Sequence, residues 1–164
     1  MRLSAALTAL SLLATATPAL ADVRYLAFDA GDRLTQSLTR GVTLEVERGL
    51  FGAIRVNRLF STTSRGSATF ERGGPAGVLS VLPDGARGDL YEVRQVGDGR
   101  GLARALCPAA SQVWLAIGRV RAARPLSMQA VGLWPDGKYR HCAALSYEWR
   151  GEWATRPPAG GATP

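Results

Sequence analysis

The chain has 164 residues, 46% of them hydrophobic and 20% charged, with 19 Gly and 9 Pro. That length suits one domain with a core of useful size, and the turn-rich but apolar composition excludes collagen, coiled coil and wholesale disorder. The net charge is +7, carried by nineteen Arg and the single Lys138; this Arg excess reflects a GC-rich coding sequence and also favours anionic partners.

At the N-terminus Arg2 gives a positive start, Ala5 to Ala14 is an apolar run, and Pro18 precedes the small-residue pattern Ala19-Leu20-Ala21. This is the pattern of a secretory signal peptide cleaved after Ala21. Thr15, Thr17 and Pro18 break the run before it reaches the roughly 20 apolar residues of a transmembrane helix, and no later segment reads as a transmembrane span. The mature domain is expected over residues 22–153, in the periplasm or secreted, with a Pro/Gly-rich disordered tail over 154–164. Cys107 and Cys142 are the only cysteines, so an oxidising compartment predicts a disulfide between them. It would close a loop of about 36 residues, contributing roughly 3 to 4 kcal/mol in the chain-entropy model.

In chain order, Val23 to Phe28 reads as a first strand. Asp32 to Arg40 reads as a short helix with Leu34 and Leu38 four apart and Asp32 as its cap. Val42 to Glu47 alternates without a fault, and Ile54 to Phe60 resumes the alternation with a phase shift near Asn57 and Arg58 that marks a bulge; the two predict a hairpin. Ala68 to Glu71 is a short strand, and Val78 to Leu82 is either a strand or a helical turn. Pro83-Asp84-Gly85 and Pro135-Asp136-Gly137 are tight turns. Tyr91 to Val96, Leu102 to Leu106, Val113 to Val120 and Leu126 to Trp134 read as successive strands, the first two joined by the Gly97 to Gly101 segment. In the last strand, alternation from Tyr139 places Tyr139, His141, Ala143, Leu145, Tyr147 and Trp149 on one face and Cys142 on the other. Short strands without βαβ spacing predict a mainly β chain, an antiparallel sandwich or small barrel.

For chemistry the inventory is nearly empty. No nucleotide, metal or nucleophile motif is present, and no cofactor is expected. Gly99-Arg100-Gly101, read as lying between strands, offers no helix N-terminus to a phosphate. The Arg residues form no nucleic-acid stripe. Asp29 and Asp32, or the lone His141, could serve a small hydrolase, although a turn and a helix cap account for the aspartates and a strand position accounts for His141. A nucleophilic Cys142 beside His141 is disfavoured because neighbours on a strand face opposite ways.

The candidate binding residues are the apolar hairpin tip Leu50-Phe51 flanked by Arg48 and Arg55, the basic pair Arg119 and Arg121, and Trp153 where the last strand should end. They predict a noncatalytic binding or accessory protein of the bacterial cell envelope, meeting an anionic component or a protein partner. A small hydrolase, or an inhibitor or structural component of an envelope assembly, remain the alternatives.

Overall fold

The alternation of Val42 to Glu47 becomes strand β2 (Gly41–Arg48), with Val42, Leu44 and Val46 buried and Thr43, Glu45 and Glu47 turned outward. The same logic builds β1 (Asp22–Ala30), β3 (Ile54–Ser61), β4 (Ser67–Arg72), β5 (Asp89–Val93), β6 (Gln112–Ile117), β7 (Leu126–Leu133) and β8 (Tyr139–Trp153). The computed structural model describes residues 22–49, 52–63 and 67–154. The expected leader, the tip Leu50-Phe51 and the tail beyond Ala154 lie outside the described residues.

Each strand pairs antiparallel with the next, and β8 returns to pair with β1, so the eight strands close into an up-and-down barrel. Of the two architectures expected, the chain adopts the barrel. An eight-stranded barrel is just wide enough for side chains to fill. Here Leu26, Phe28, Leu44, Leu59, Leu115 and Met128 are among those that fill it, each 1% exposed or less. The outer face carries Glu45, Glu47, Arg58, Glu71, Glu92 and Glu148, whereas a lipid-facing barrel alternates apolar outward and polar inward. No described helix is long and apolar enough to cross a membrane.

The bulge expected near Asn57 is present. The β2–β3 register jumps from Glu45↔Arg58 to Val46↔Val56 and skips Asn57. A second bulge changes the face of β8. Ala130 pairs with Ala143 but Val131 pairs with His141, so Cys142 is the extra residue and the alternation reverses there. The single face expected for β8 is corrected accordingly: Ala143, Leu145 and Tyr147 point into the barrel, Tyr139 and His141 outward, and Cys142 packs against the core.

Two helices close one end. α1 (Arg33–Leu38), the short helix expected near 32–40, lies between β1 and β2 and buries Thr35. α3 (Gly99–Leu106) lies between β5 and β6 and buries Leu102, Ala103 and Leu106 in the core. The strand expected over Leu102–Leu106 is therefore a helix, and Gly99 stands at its start rather than in a loop between strands. Leu102 and Leu106 are four apart, and burial of that pair outweighs the poor helix propensity of Gly99 and Gly101. The Cys107–Cys142 disulfide, with Cα atoms 5.4 Å apart, ties the end of α3 to the β8 bulge.

Residues 73–88 leave the opposite end of the barrel and cross its outer face. Within them α2 (Ala76–Leu79) is the helical-turn option of the two expected for Val78 to Leu82. Val78 packs with Trp114 and Val131 beneath Val81, Leu82 and Tyr139, forming a second apolar cluster outside the barrel. Gly74 lies over the Trp114 ring, where a Cβ would come within 3.0 Å of Cδ1. The two Pro-Asp-Gly turns form as expected, with Gly85 and Gly137 at positive φ.

Candidate functional site

With α1 and α3 over one end, no helix among the described residues covers the other, the mouth of the barrel. There the β2–β3 hairpin, the end of the 73–88 crossing and the β6–β7 connection surround a cleft of about 790 Å³. On the register that carries Leu26, Val46 and Phe70 inward, the strands reach this mouth in the paired Asp22 and Arg24, in Arg48 and in Arg72, and β5 begins with Asp89. The interior alternation thus changes from apolar to charged at the rim.

Four arginines line the cleft: Arg48, Arg87, Arg119 and Arg121. Arg48 is paired with Glu152 at 3.0 Å, and the one lining carboxylate, Asp89, is paired with Arg72 at 3.2 Å. Arg87, Arg119 and Arg121 are exposed and have no ion-pair partner among the described residues. Their loops are fixed by close packing: a Cβ on Gly88 would collide with the Ile117 carbonyl, and one on Gly118 would lie 2.8 Å from Ser127 Oγ. Ala123, at φ 56, turns the β6–β7 connection back toward β7.

The floor is apolar. Val56 and Ile117 are 2% exposed and Tyr91 1%. The Val56 amide, beside the Asn57 bulge, donates to the Tyr91 hydroxyl at 3.3 Å, and burial raises the Tyr91 phenol above its ordinary value. The hydroxyl hydrogen of Tyr91 has no acceptor among the described residues.

Of the candidate binding residues, Arg48, Arg119 and Arg121 come together at this cleft, and Gly52 and Ala53 beside the tip also line it. Leu50 and Phe51 lie outside the described residues. Arg55 stands on β3 opposite Glu47 and is not part of the lining. Trp153 covers Gly151, with the Arg150 guanidinium 5.9 Å from its ring centroid. Sequence reasoning missed Arg87 and Tyr91, because nothing local in Ala86-Arg87-Gly88 or Leu90-Tyr91 announces a rim or a floor.

The residues considered for hydrolysis each have a separate partner. Asp29 faces Arg150 at 3.5 Å, and His141 Nε2 lies 2.8 Å from Gln129 Oε1. Asp32 caps α1 as expected: it accepts from the Thr35 amide at 2.8 Å and the Thr35 hydroxyl at 2.9 Å, and also from the Ser146 hydroxyl. The Ser146 bond, then those of Thr35, lower its carboxyl from 3.8 to about 2. Thr39 Oγ1 lies 3.0 Å from the Tyr147 hydroxyl, and burial pushes that phenol up to about 12. No group of three or more metal-ligating side chains occurs among the described residues. Although Gly99 starts a helix, contrary to the expectation of a loop between strands, its position is taken by packing against the Arg94 carbonyl.

The lowered carboxyl makes a pH prediction. A folded-state pKa below the unfolded one stabilises the fold at pH values above the unfolded pKa, and that contribution disappears as pH falls through about 4 toward 2. Asp32→Ala should cost about 0.5 to 2 kcal/mol at pH 7, the range for a lost cap. The gap in melting temperature between wild type and variant should narrow as pH drops across that window; a gap that is constant from pH 7 to 2 would contradict the ionised-cap account.

Comparison of the chain with family models, with curated proteins and with solved structures found no match.

Proposed function

We propose that this chain is an exported, noncatalytic binding protein of the bacterial cell envelope that receives an anionic partner at the open mouth of its barrel. The observation that carries this reading is the convergence of Arg87, Arg119 and Arg121, from two separate connections, on one cleft in which the carboxylate is already paired. Cationic groups around a concave, low-dielectric floor concentrate anions and raise their association rate. Export is supported by the leader-like pattern of residues 1–21 and by the Cys107–Cys142 disulfide, a bond favoured by oxidising compartments.

The test is retention of anionic envelope material by wild type, by Arg119→Glu/Arg121→Glu and by Phe51→Ala, at low and high salt. Retention should fall as salt rises and drop by about tenfold in the charge-reversal variant, a loss of one to two kcal/mol in rim electrostatics. Phe51→Ala should weaken retention without lowering the melting temperature. Retention that ignores both salt and the reversal overturns the reading, because the basic mouth would then be a solvated surface only.

A further inference from the structure

Resting on that reading, we infer that the ligand class of the mouth is a phosphate monoester carried on an apolar or aromatic body. The charge at the rim sets the first part of the argument. Once the Arg48–Glu152 and Arg72–Asp89 pairs are set aside, three exposed arginines without an ion-pair partner among the described residues, Arg87, Arg119 and Arg121, are left lining one cleft. A carboxylate carries one charge and two oxygens, which a single guanidinium fork satisfies. A phosphate monoester carries a charge of about −1.5 to −2 at neutral pH and three terminal oxygens, enough acceptors for two or three forks. Sulfonates and phosphate diesters, with one charge each, leave most of the cationic field uncompensated.

The floor sets the second part. The apolar lining that still has surface to cover is Ile54 and Val120, both half-buried, while Val56, Ile117 and the Tyr91 ring line the same cleft from within the barrel core. Such a surface rewards an apolar substituent with burial and penalises a sugar or a second charge. Tyr91 adds one donor. Its oxygen accepts from the Val56 amide, and its hydrogen, which has no acceptor among the described residues, is the donor assigned here to an oxygen of the bound ester. A buried hydroxyl with that donor at the base of a cationic cleft is what an acceptor-only anion with an apolar body fits.

The same monoester could be a soluble molecule or the headgroup of a lipid, and the experiment separates the two. The mature chain is titrated with phenyl phosphate, benzenesulfonate and benzoate, which share a ring and differ in the anion. Phenyl phosphate should bind about tenfold tighter than the other two, and Arg87→Gln and Arg119→Gln should each weaken it by about tenfold, as expected for loss of a charge-assisted hydrogen bond. Both arginines are exposed, so a melting temperature unchanged from wild type verifies the fold of each variant. Flotation with vesicles of phosphatidate, a monoester, against phosphatidylglycerol, a diester, supplies the second arm. Selective flotation with phosphatidate that phenyl phosphate displaces assigns the lipid source; phenyl phosphate binding without flotation assigns a soluble source.

Equal binding of the three ring anions, or binding of phenyl phosphate unaffected by both glutamine variants, overturns the phosphate assignment. If envelope retention still depends on Arg119 and Arg121 in that case, the anion-binding mouth stands and only its ligand class is wrong. Failure of both experiments removes both.

Discussion

Replacing Cys107 and Cys142 together by Ser is expected to destabilise the protein by about 3 to 4 kcal/mol, the chain-entropy value for a bond that spans 35 residues. For a domain of this size that corresponds to roughly 10 °C or more in melting temperature. Nearly the whole effect should be seen on reduction of the wild-type protein as well, which thermal unfolding with and without reductant measures. The loss should be local in character. The bond joins the α3 closure to the β8 bulge, so amide exchange should accelerate first over residues 99–107 and around 140–142, while β1 to β3 stay protected. A melting temperature within two or three degrees of wild type would mean that packing of Leu102, Ala103 and Leu106 holds the closure unaided.

The second large effect separates two glycines of one helix. Gly99→Ala should cost about 2 to 3 kcal/mol, since the added Cβ would collide with the Arg94 carbonyl oxygen and the backbone has to move to admit it. Gly101→Ala, on the exposed side of the same helix, should instead raise stability by about 0.4 to 1 kcal/mol through loss of unfolded-chain freedom. Chemical denaturation of the two variants gives the comparison. Equal effects, of either sign, would show that backbone entropy rather than the contact with Arg94 governs position 99.

How far the residues disclosed this molecule follows from the range of each signal. Period-2 alternation is local, so β2, β3, β7 and the Asn57 bulge were legible, and so was the antiparallel barrel option. α3 was not. Leu102 and Leu106 fit a short strand as well as a helix, and Gly97 to Gly101 look like a connection until Arg94 is seen to need a glycine at 99. The β8 bulge was hidden because it depends on the register with β7; alternation alone put His141 on one face with Ala143, Leu145 and Tyr147 and Cys142 on the other, whereas the bulge at Cys142 turns His141 away from that set. For the candidate site, the basic pair Arg119 and Arg121 was visible as local density. Arg87 and Tyr91 join them only because the barrel brings three distant connections to one end, which no window of sequence displays.

Closure of the barrel also bears on how the chain reaches this state. β1 pairs with β8, Tyr25 opposite Trp153 and Ala30 opposite Tyr147, so the first and last strands of the domain depend on each other. All other pairings join sequence neighbours and can form as a growing meander, but the final seam has the longest sequence separation in the molecule and the largest loop-closure entropy. Until residues 147–153 arrive, the outer edges of β1 and of the meander present unpaired amides and carbonyls to any other chain. The rate-limiting event in refolding is therefore expected to be docking of β8, and the concentration at which the chain aggregates should depend on how long that seam stays open.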